Sequence, residues 1–260
     1  MELGLERMWH GLMLIKRSVL FFVSNPILLI YGICSFAISY GLNLMFLHVK
    51  ENLLAGSYEA SAQVISDVYA RIGVCNLLFT SISTGFTLFF LACLAHHAMH
   101  ILQHDLHSVK ETFAGVMRRW APLALWILFQ LSMRFGGLII KGLVVLPNYA
   151  QYSTAVTLWV ILVCVISYLT SLVLPIIATE QTGIIVAIKR SCQLVWQFFI
   201  ILIGIFFIFS LAQIVAYAYM HSAALLIVVK HLEVLTYTIF YYEYYARPKP
   251  ELAGIFYPDV

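Results

Sequence analysis

The sequence predicts an all-α fold: a polytopic membrane helix bundle of six transmembrane helices, forming a single integral membrane domain over residues 1–260. Composition is the first observation. Hydrophobic residues make up 62% of the chain and charged residues 10%, whereas a soluble domain carries about 25% charged residues. The second observation is a series of apolar runs of about 20 residues, the length that crosses a bilayer as a helix. Because lipid offers the backbone no hydrogen-bond partners, these runs must be helical.

The apolar runs divide into six spans, and no polar stretch between them is long enough to hold a soluble core. The region around His221 is split in two, because one helix through it would be about twice as long as the bilayer is thick. The predicted spans cover residues 26–48, 72–99, 121–146, 154–178, 197–220 and 222–245.

The basic residues of the loops lie mostly on one side of these spans. The positive-inside rule places the richer side in the cytoplasm. Both ends of the chain are then cytoplasmic, which agrees with an even number of spans. The richer side carries Arg7, Lys16, Arg17, Lys110, Arg118, Arg119, Lys189, Arg190, Arg247 and Lys249, and the other side carries Lys50, Arg71 and Lys141.

Each cytoplasmic segment resembles a short amphipathic helix that leads into an odd-numbered span, and we name these segments elbow helices. Such helices lie in the membrane interface with their basic residues toward lipid phosphates or a partner protein. One elbow helix followed by two spans, used three times, predicts a pseudo-threefold repeat. The alternative is that segments beside a membrane are generically basic and amphipathic. The predicted contact residues are Lys16, Arg17, Arg118, Arg119, Lys189 and Arg190.

A spaced motif follows the fourth span: Pro175, Glu180, Gly183 and then the elbow sequence of residues 187–191. This spacing, together with residues 9–18, resembles a group of uncharacterised six-span bacterial inner-membrane proteins, which are domains of unknown function. The resemblance covers most of the chain and implies the fold and a bacterial inner-membrane location, but no activity. Related elbow-and-hairpin units occur in the membrane domains of some glycerophosphodiesterases, whose soluble enzyme domain has no counterpart here.

Charged residues inside the spans form the first candidate site. At about 1.5 Å per residue, Arg134 lies about 20 Å deep in the third span and Glu233 about 18 Å from the same side. Burying an isolated charge there costs at least about 2.5–3.5 kcal/mol, so the two are expected to pair, with Lys230 as a second partner. Lys230, Glu233, Tyr237 and Tyr241 follow one stripe of the sixth span. The stripe indicates either an ion path or a buried charge pair that fixes helix packing.

The second candidate site is the histidine cluster at the end of the second span. His96, His100, His104 and His107 fall on one predicted helical face, at the spacing by which a helix chelates a metal. A zinc, copper or haem role is one interpretation, and a set of interfacial histidines is the other. The remaining histidines form no second such cluster, which argues against a di-iron hydroxylase.

Glu180 lies just after the fourth span and is expected to cap a helix or contribute to packing, with pairing to a basic elbow residue as the alternative. The chain has no phosphate-binding glycine loop, His-Glu-x-x-His helix or nucleophile elbow, which argues against an ATP-driven pump, a zinc protease and a serine hydrolase. Its net charge of +3 is spread over short loops and indicates no nucleic-acid partner.

We therefore expect a non-enzymatic subunit or scaffold that contacts anionic lipid or partner proteins and needs no cofactor. Two alternatives stay open. One is a small-solute or ion channel or transporter that uses the charges of the third and sixth spans. The other is a membrane metalloprotein that uses the histidine cluster.

Overall fold

The computed structural model describes residues 2–55, 62–105, 107–143, 149–180, 182–218 and 223–246. Within these ranges all regular secondary structure is helical, and there is no β-strand. A 3₁₀ turn at Pro26–Leu28 and a π turn at Tyr242–Ala246 accompany the helices. The helices are α1 Glu2–Ser24, α2 Leu29–Ala55, α3 Ala62–Leu102, α4 Val109–Met117, α5 Trp120–Leu143, α6 Tyr149–Leu169, α7 Val173–Thr179, α8 Ile184–Gln197, α9 Phe199–Ala218 and α10 Ala223–Tyr241.

Five helical segments of the described chain are long and apolar enough to cross a membrane. They correspond to the first, second, fourth, fifth and sixth predicted spans. The third prediction falls on α5, whose apolar part is the shorter stretch Trp120–Met133. The all-α class is confirmed for the described residues, and the count of six spans stays a prediction. The five segments are Pro26–Ala55, Asp67–Leu102, Val156–Thr179, Phe199–Tyr217 and Ala224–Ala246.

Prolines account for two breaks in the helical path. Pro26 opens the 3₁₀ turn that separates α1 from α2. In the fourth predicted span the helix stops at Leu169 and starts again at Val173. Pro175 has no N–H to donate to the carbonyl of Ser171, four residues earlier, so a continuous helix would lose a hydrogen bond there. The fourth span is therefore two helices, α6 and α7.

The buried core lies at one end of the bundle. Every residue of α3 from 91 to 99 is buried, as are residues 172–178 around α7 and 235–241 in α10. The helix α3 is central, since it packs against α2, α4, α5, α7 and α10. Farther from this end, large apolar side chains of α2, α6 and α9 are exposed, as expected where helices face lipid.

Helices α1, α4 and α8 occupy the three predicted elbow positions and border the buried core. We name this end of the molecule the basic end. α1 packs against α9 and α10 and buries Leu14 and Ser18 on one face. α8 leaves Ile185 and Trp196 each 80% exposed, which suits a helix lying at a membrane surface. The interfacial position of these helices and their threefold repeat stay predictions.

Candidate metal centre

A cavity of about 740 Å³ opens at the basic end. The end of α3 and one face of α4 form two of its walls, and the start of α5 and the segment before α8 contribute the rest of the lining. Its polar lining is unusually rich in groups that bind metals or anions. The lining residues are His96, His100, His107, Glu111, Ala114, Gly115, Arg118, Arg119, Pro122, Thr182 and Gly183.

Three imidazoles converge in this cavity. His96 and His100 are one helical turn apart on α3, and His107 reaches them from the loop before α4. One ring nitrogen from each lies within 4.8 Å of the other two. The His96 and His100 ring centres are 4.7 Å apart, and the His100 and His107 rings stack at 3.8 Å. We name His96, His100 and His107 the histidine triad.

The structure differs from the predicted four-histidine helical face. The helix α3 ends at Leu102, and the chain reverses at His104, whose φ is 62°. The N–H of Asp105 donates to the His100 carbonyl and that of His104 to the Ile101 carbonyl. These two bonds are the Schellman pattern that ends many helices, with His104 at the left-handed position usually held by glycine. His104 is therefore exposed and outside the triad, and the loop returns His107 to it.

Gly115 allows α4 to approach the triad closely. A Cβ atom at this position would lie 2.7 Å from His96 Nε2 and 2.9 Å from His96 Cε1, closer than non-bonded atoms approach. The observed position of the His96 ring therefore requires a residue without a Cβ atom at position 115. The sequence offered one signal for it, a lone glycine inside a short amphipathic helix.

Two polar atoms of cavity-lining residues are buried beneath the cavity surface without a hydrogen-bond partner among the described residues. They are Nδ1 of His96 and Oγ1 of Thr182. His96 is only 3% exposed. A buried polar atom normally finds a partner, because leaving it unsatisfied costs about 1–3 kcal/mol. His96 and Thr182 thus each contribute an unsatisfied polar atom beneath the surface of the cavity wall.

The wall formed by α4 is rigidly anchored. Ser108 and Glu111 form a capping box, in which the Ser108 N–H donates to Glu111 Oε2 at 2.8 Å and the Glu111 N–H donates to the Ser108 hydroxyl. These bonds, the backbone one foremost, lower the pKa of Glu111. Deeper down, His97 Nδ1 lies 2.7 Å from the Tyr31 hydroxyl and 3.3 Å from that of Thr112. The His97 contacts join α2, α3 and α4 behind the triad.

The cavity lining also contains two arginines, Arg118 and Arg119, which make different contacts. Arg119 donates from Nη1 to the carbonyl of Ala178 at the end of α7, and burial lowers the pKa of Arg119. This contact places a cation against the negative end of a helix. Arg118 is exposed, and its guanidinium makes no ion pair or hydrogen bond with the described part of the chain.

Glu180 is placed at the centre of a polar cluster instead of at a helix start. It accepts from Arg190 Nη1 and from the Tyr241 hydroxyl, and the Arg190 guanidinium lies 5.0 Å from the centre of the Tyr245 ring. Burial is the largest influence on the pKa of Arg190 and lowers it, but Glu180, Tyr245 and Tyr241 together outweigh burial and raise this pKa. The start of α8 is Gly183, which gives it no side-chain cap. The cluster joins α7, α8 and α10.

The predicted intramembrane charges are only partly described. Arg134 lies in α5, but its side chain is outside the described residues, so its pairing with Glu233 stays a prediction. Glu233 accepts a 2.7 Å hydrogen bond from Gln213 of α9. Lys230 lines a second cavity of about 310 Å³, while Tyr237 is buried in the core. Tyr241 belongs to the Glu180 cluster, so the predicted stripe divides among four different surroundings.

The six basic residues predicted to meet lipid or a partner also divide. Arg17 pairs with Glu243 at 2.9 Å, and Arg119 and Arg190 make the contacts described above. Lys16, Arg118 and Lys189 are exposed. The sequence pattern identifies a basic face. It does not distinguish a basic side chain that binds another residue of the protein from one that is exposed to lipid or a partner.

Comparisons with known proteins add no identification. No family model, no curated protein and no solved structure matches the chain. The resemblance to bacterial six-span proteins therefore stays a prediction that rests on the residues quoted for it, and function has to follow from the side chains of this chain.

Proposed function

We propose that the protein is a six-span bacterial inner-membrane protein that binds a divalent transition-metal ion through the histidine triad. The convergence of His96, His100 and His107 on one cavity is the observation that carries this proposal. Imidazole nitrogen is a preferred ligand of zinc, copper, iron and nickel. Three histidines with a fourth position open to the cavity are the ligand set of a metal that also binds water or a substrate.

The geometry of the triad fits such an ion. Zinc binds histidine nitrogen at about 2.0–2.1 Å, which places two nitrogens of a tetrahedral site about 3.4 Å apart. In the triad no two of the three ring nitrogens lie more than 4.8 Å apart. The difference is at most about 1.4 Å, which rotation of the side chains can close.

The six-span topology is supported by the length of α5. Its 24 residues extend about 36 Å, enough to cross a hydrocarbon core of about 30 Å. With α5 as the third span, the odd-numbered spans each follow α1, α4 or α8, and the basic loops fall on one side. Both ends of the chain and the histidine triad then lie on the cytoplasmic side.

Exposed basic residues of the elbow helices are available to anionic lipid. Lys16 of α1 and Lys189 of α8 are both exposed. A cluster of basic residues at a membrane surface gains about 1 kcal/mol per residue from anionic headgroups. We therefore keep lipid contact, and a partner protein on the same face, as roles of these helices alongside metal binding.

Equilibrium binding of Zn²⁺ to the full chain in phosphatidylcholine nanodiscs tests the metal site. Competition with a chromophoric chelator should show one saturable site. Replacing His100 or His107 by alanine should weaken it by about 100-fold or more, because each removes a ligand. His104→Asn is the matched control: it removes an exposed histidine while asparagine tolerates the left-handed backbone. Equal affinity of all four proteins would contradict the proposal.

A second candidate function is the binding of a small polar solute inside the membrane. The cavity of about 310 Å³ between α2, α3, α5 and α10 is lined by hydroxyl and amide groups as well as Lys230. The Ser83 hydroxyl donates to that of Ser39 at 2.9 Å across its wall. In proteoliposomes, Lys230→Gln should then reduce the flux of small polar solutes or ions. Lys50→Gln, at an exposed position outside the cavity, is the control, and equal flux through both variants would contradict this function.

A further inference from the structure

The cavity is much larger than its metal site. Its volume is about 740 Å³, whereas a water molecule occupies about 30 Å³. An ion bound to the triad needs no more room than a few water molecules. The triad forms one part of the lining, and Arg118, Thr182 and Gly183 form another. The remaining space is therefore available to a ligand that contacts the metal on one side and these residues on the other.

Charge selects the chemistry of that ligand. The lining carries the cations Arg118 and Arg119 and the carboxylate of Glu111, which is already engaged by the capping box. A divalent ion on three neutral imidazoles would add two further positive charges. The Asp105 carboxylate, with Oδ2 3.4 Å from His100 Nδ1, offsets one of these charges. An anion balances the remaining excess, and arginine beside a metal is a common arrangement for phosphoryl groups.

The cavity lining also contains hydrogen-bond donors for an anion. The 14-residue helix α8 starts beside the cavity, and Gly183 gives its first turn no side-chain cap. Uncapped N–H groups at a helix start bind anions. The lining residues Thr182 and His96 each also have a buried polar atom, Oγ1 and Nδ1, without a hydrogen-bond partner among the described residues. Arg118 supplies a guanidinium that has no ion-pair partner among the described residues.

We propose that the cavity binds a phosphate monoester or diester, with its phosphoryl oxygens between the triad's metal and Arg118, the Thr182 hydroxyl and the start of α8. This inference rests on the proposed metal site and names the ligand class that completes it. The phosphoryl group belongs either to a phospholipid headgroup at the membrane surface or to a soluble phosphoester. The two sources share the same recognition chemistry.

Cobalt-loaded protein tests this inference. Co²⁺ bound to imidazoles absorbs visible light, and the absorption changes when an anion enters its coordination shell. The full chain in phosphatidylcholine nanodiscs is titrated first with Co²⁺ and then with glycerol 3-phosphate. In a second arm, nanodiscs containing phosphatidic acid replace the soluble ligand. We expect a saturable spectral change in at least one arm, and the responding arm identifies the source.

Variants separate this inference from the metal site. Arg118→Gln should weaken the anion response by about 10–100-fold and leave Co²⁺ affinity unchanged, since it removes a charged hydrogen-bond donor but no metal ligand. Lys110→Gln, an exposed cation of the same helix outside the cavity lining, should change neither. Co²⁺ binding with no response in either arm, or an equal response in all three proteins, would overturn the anion site alone. Absence of Co²⁺ binding would overturn both proposals.

Discussion

Replacing Gly115 by alanine is a sharp perturbation of the triad that removes no ligand. The new Cβ would lie 2.7 Å from His96 Nε2, and ordinary contact begins at 3.4 Å, so the ring must move by about 0.7 Å. Metal–ligand distances are held to about 0.2 Å. We therefore expect Gly115→Ala to weaken Zn²⁺ binding by about 10–100-fold, the effect of disturbing a neighbour that orients a ligand.

The stability of the metal-free protein should change little in the same variant. Alanine favours the helix by about 1 kcal/mol over glycine, which offsets part of an overpacking cost of about 1–3 kcal/mol. Gly73→Ala on α3 is the control, because a Cβ there meets no atom within 4 Å. Thermal unfolding with and without Zn²⁺ measures both effects, since metal binding raises the transition temperature. An equal Zn²⁺-induced rise in Gly115→Ala, Gly73→Ala and the unchanged protein would refute the reasoning.

Three further predictions concern the scaffold and its response to pH. Gly136→Ala should lower the unfolding temperature markedly, because its Cβ would lie 2.4 Å from the Trp159 ring and force α5 from α6. Tyr241→Phe removes a hydrogen bond to the Glu180 carboxylate and should lower the free energy of unfolding, measured with denaturant, by about 1.5–3 kcal/mol. An unchanged free energy of unfolding would show that this bond does not stabilise the fold. The lowered folded-state pKa of Glu111 means that its carboxylate stabilises α4 above the unfolded value of 4.5, and this contribution is lost as the pH falls through the folded pKa. Glu111→Gln should accordingly show a weaker acid destabilisation below about pH 4.5 than the unchanged protein, and identical acid profiles would contradict this role.

The helical framework could be predicted because it depends on local patterns. Apolar runs of bilayer length identify spans whatever their neighbours are, and basic amphipathic segments mark the positions of α1, α4 and α8. The break before Pro175 was also visible in principle, since proline always lacks the N–H. The predicted fourth span is nevertheless continuous, because the sequence around Pro175 is apolar on both sides of the break.

The site could be predicted only in part. The pair His96 and His100 follows from helical spacing, but the inclusion of His107 depends on a loop that leaves the helix at His104, where a non-glycine residue adopts a positive φ. The approach of Gly115 to His96 and the bond from Tyr241 to Glu180 join residues distant in the chain or on separate helices. Such contacts depend on how helices pack, which composition and periodicity do not specify.

X-ray absorption at the zinc edge tests the metal site most directly. On the full chain loaded with one equivalent of Zn²⁺ in nanodiscs, the account predicts three imidazole nitrogens at about 2.0–2.1 Å and one further light atom. His107→Ala should lose one imidazole, while His104→Asn should give the spectrum of the unchanged protein. A first shell with fewer than three imidazoles, or a spectrum that His107→Ala leaves unaltered, would contradict a metal held by His96, His100 and His107.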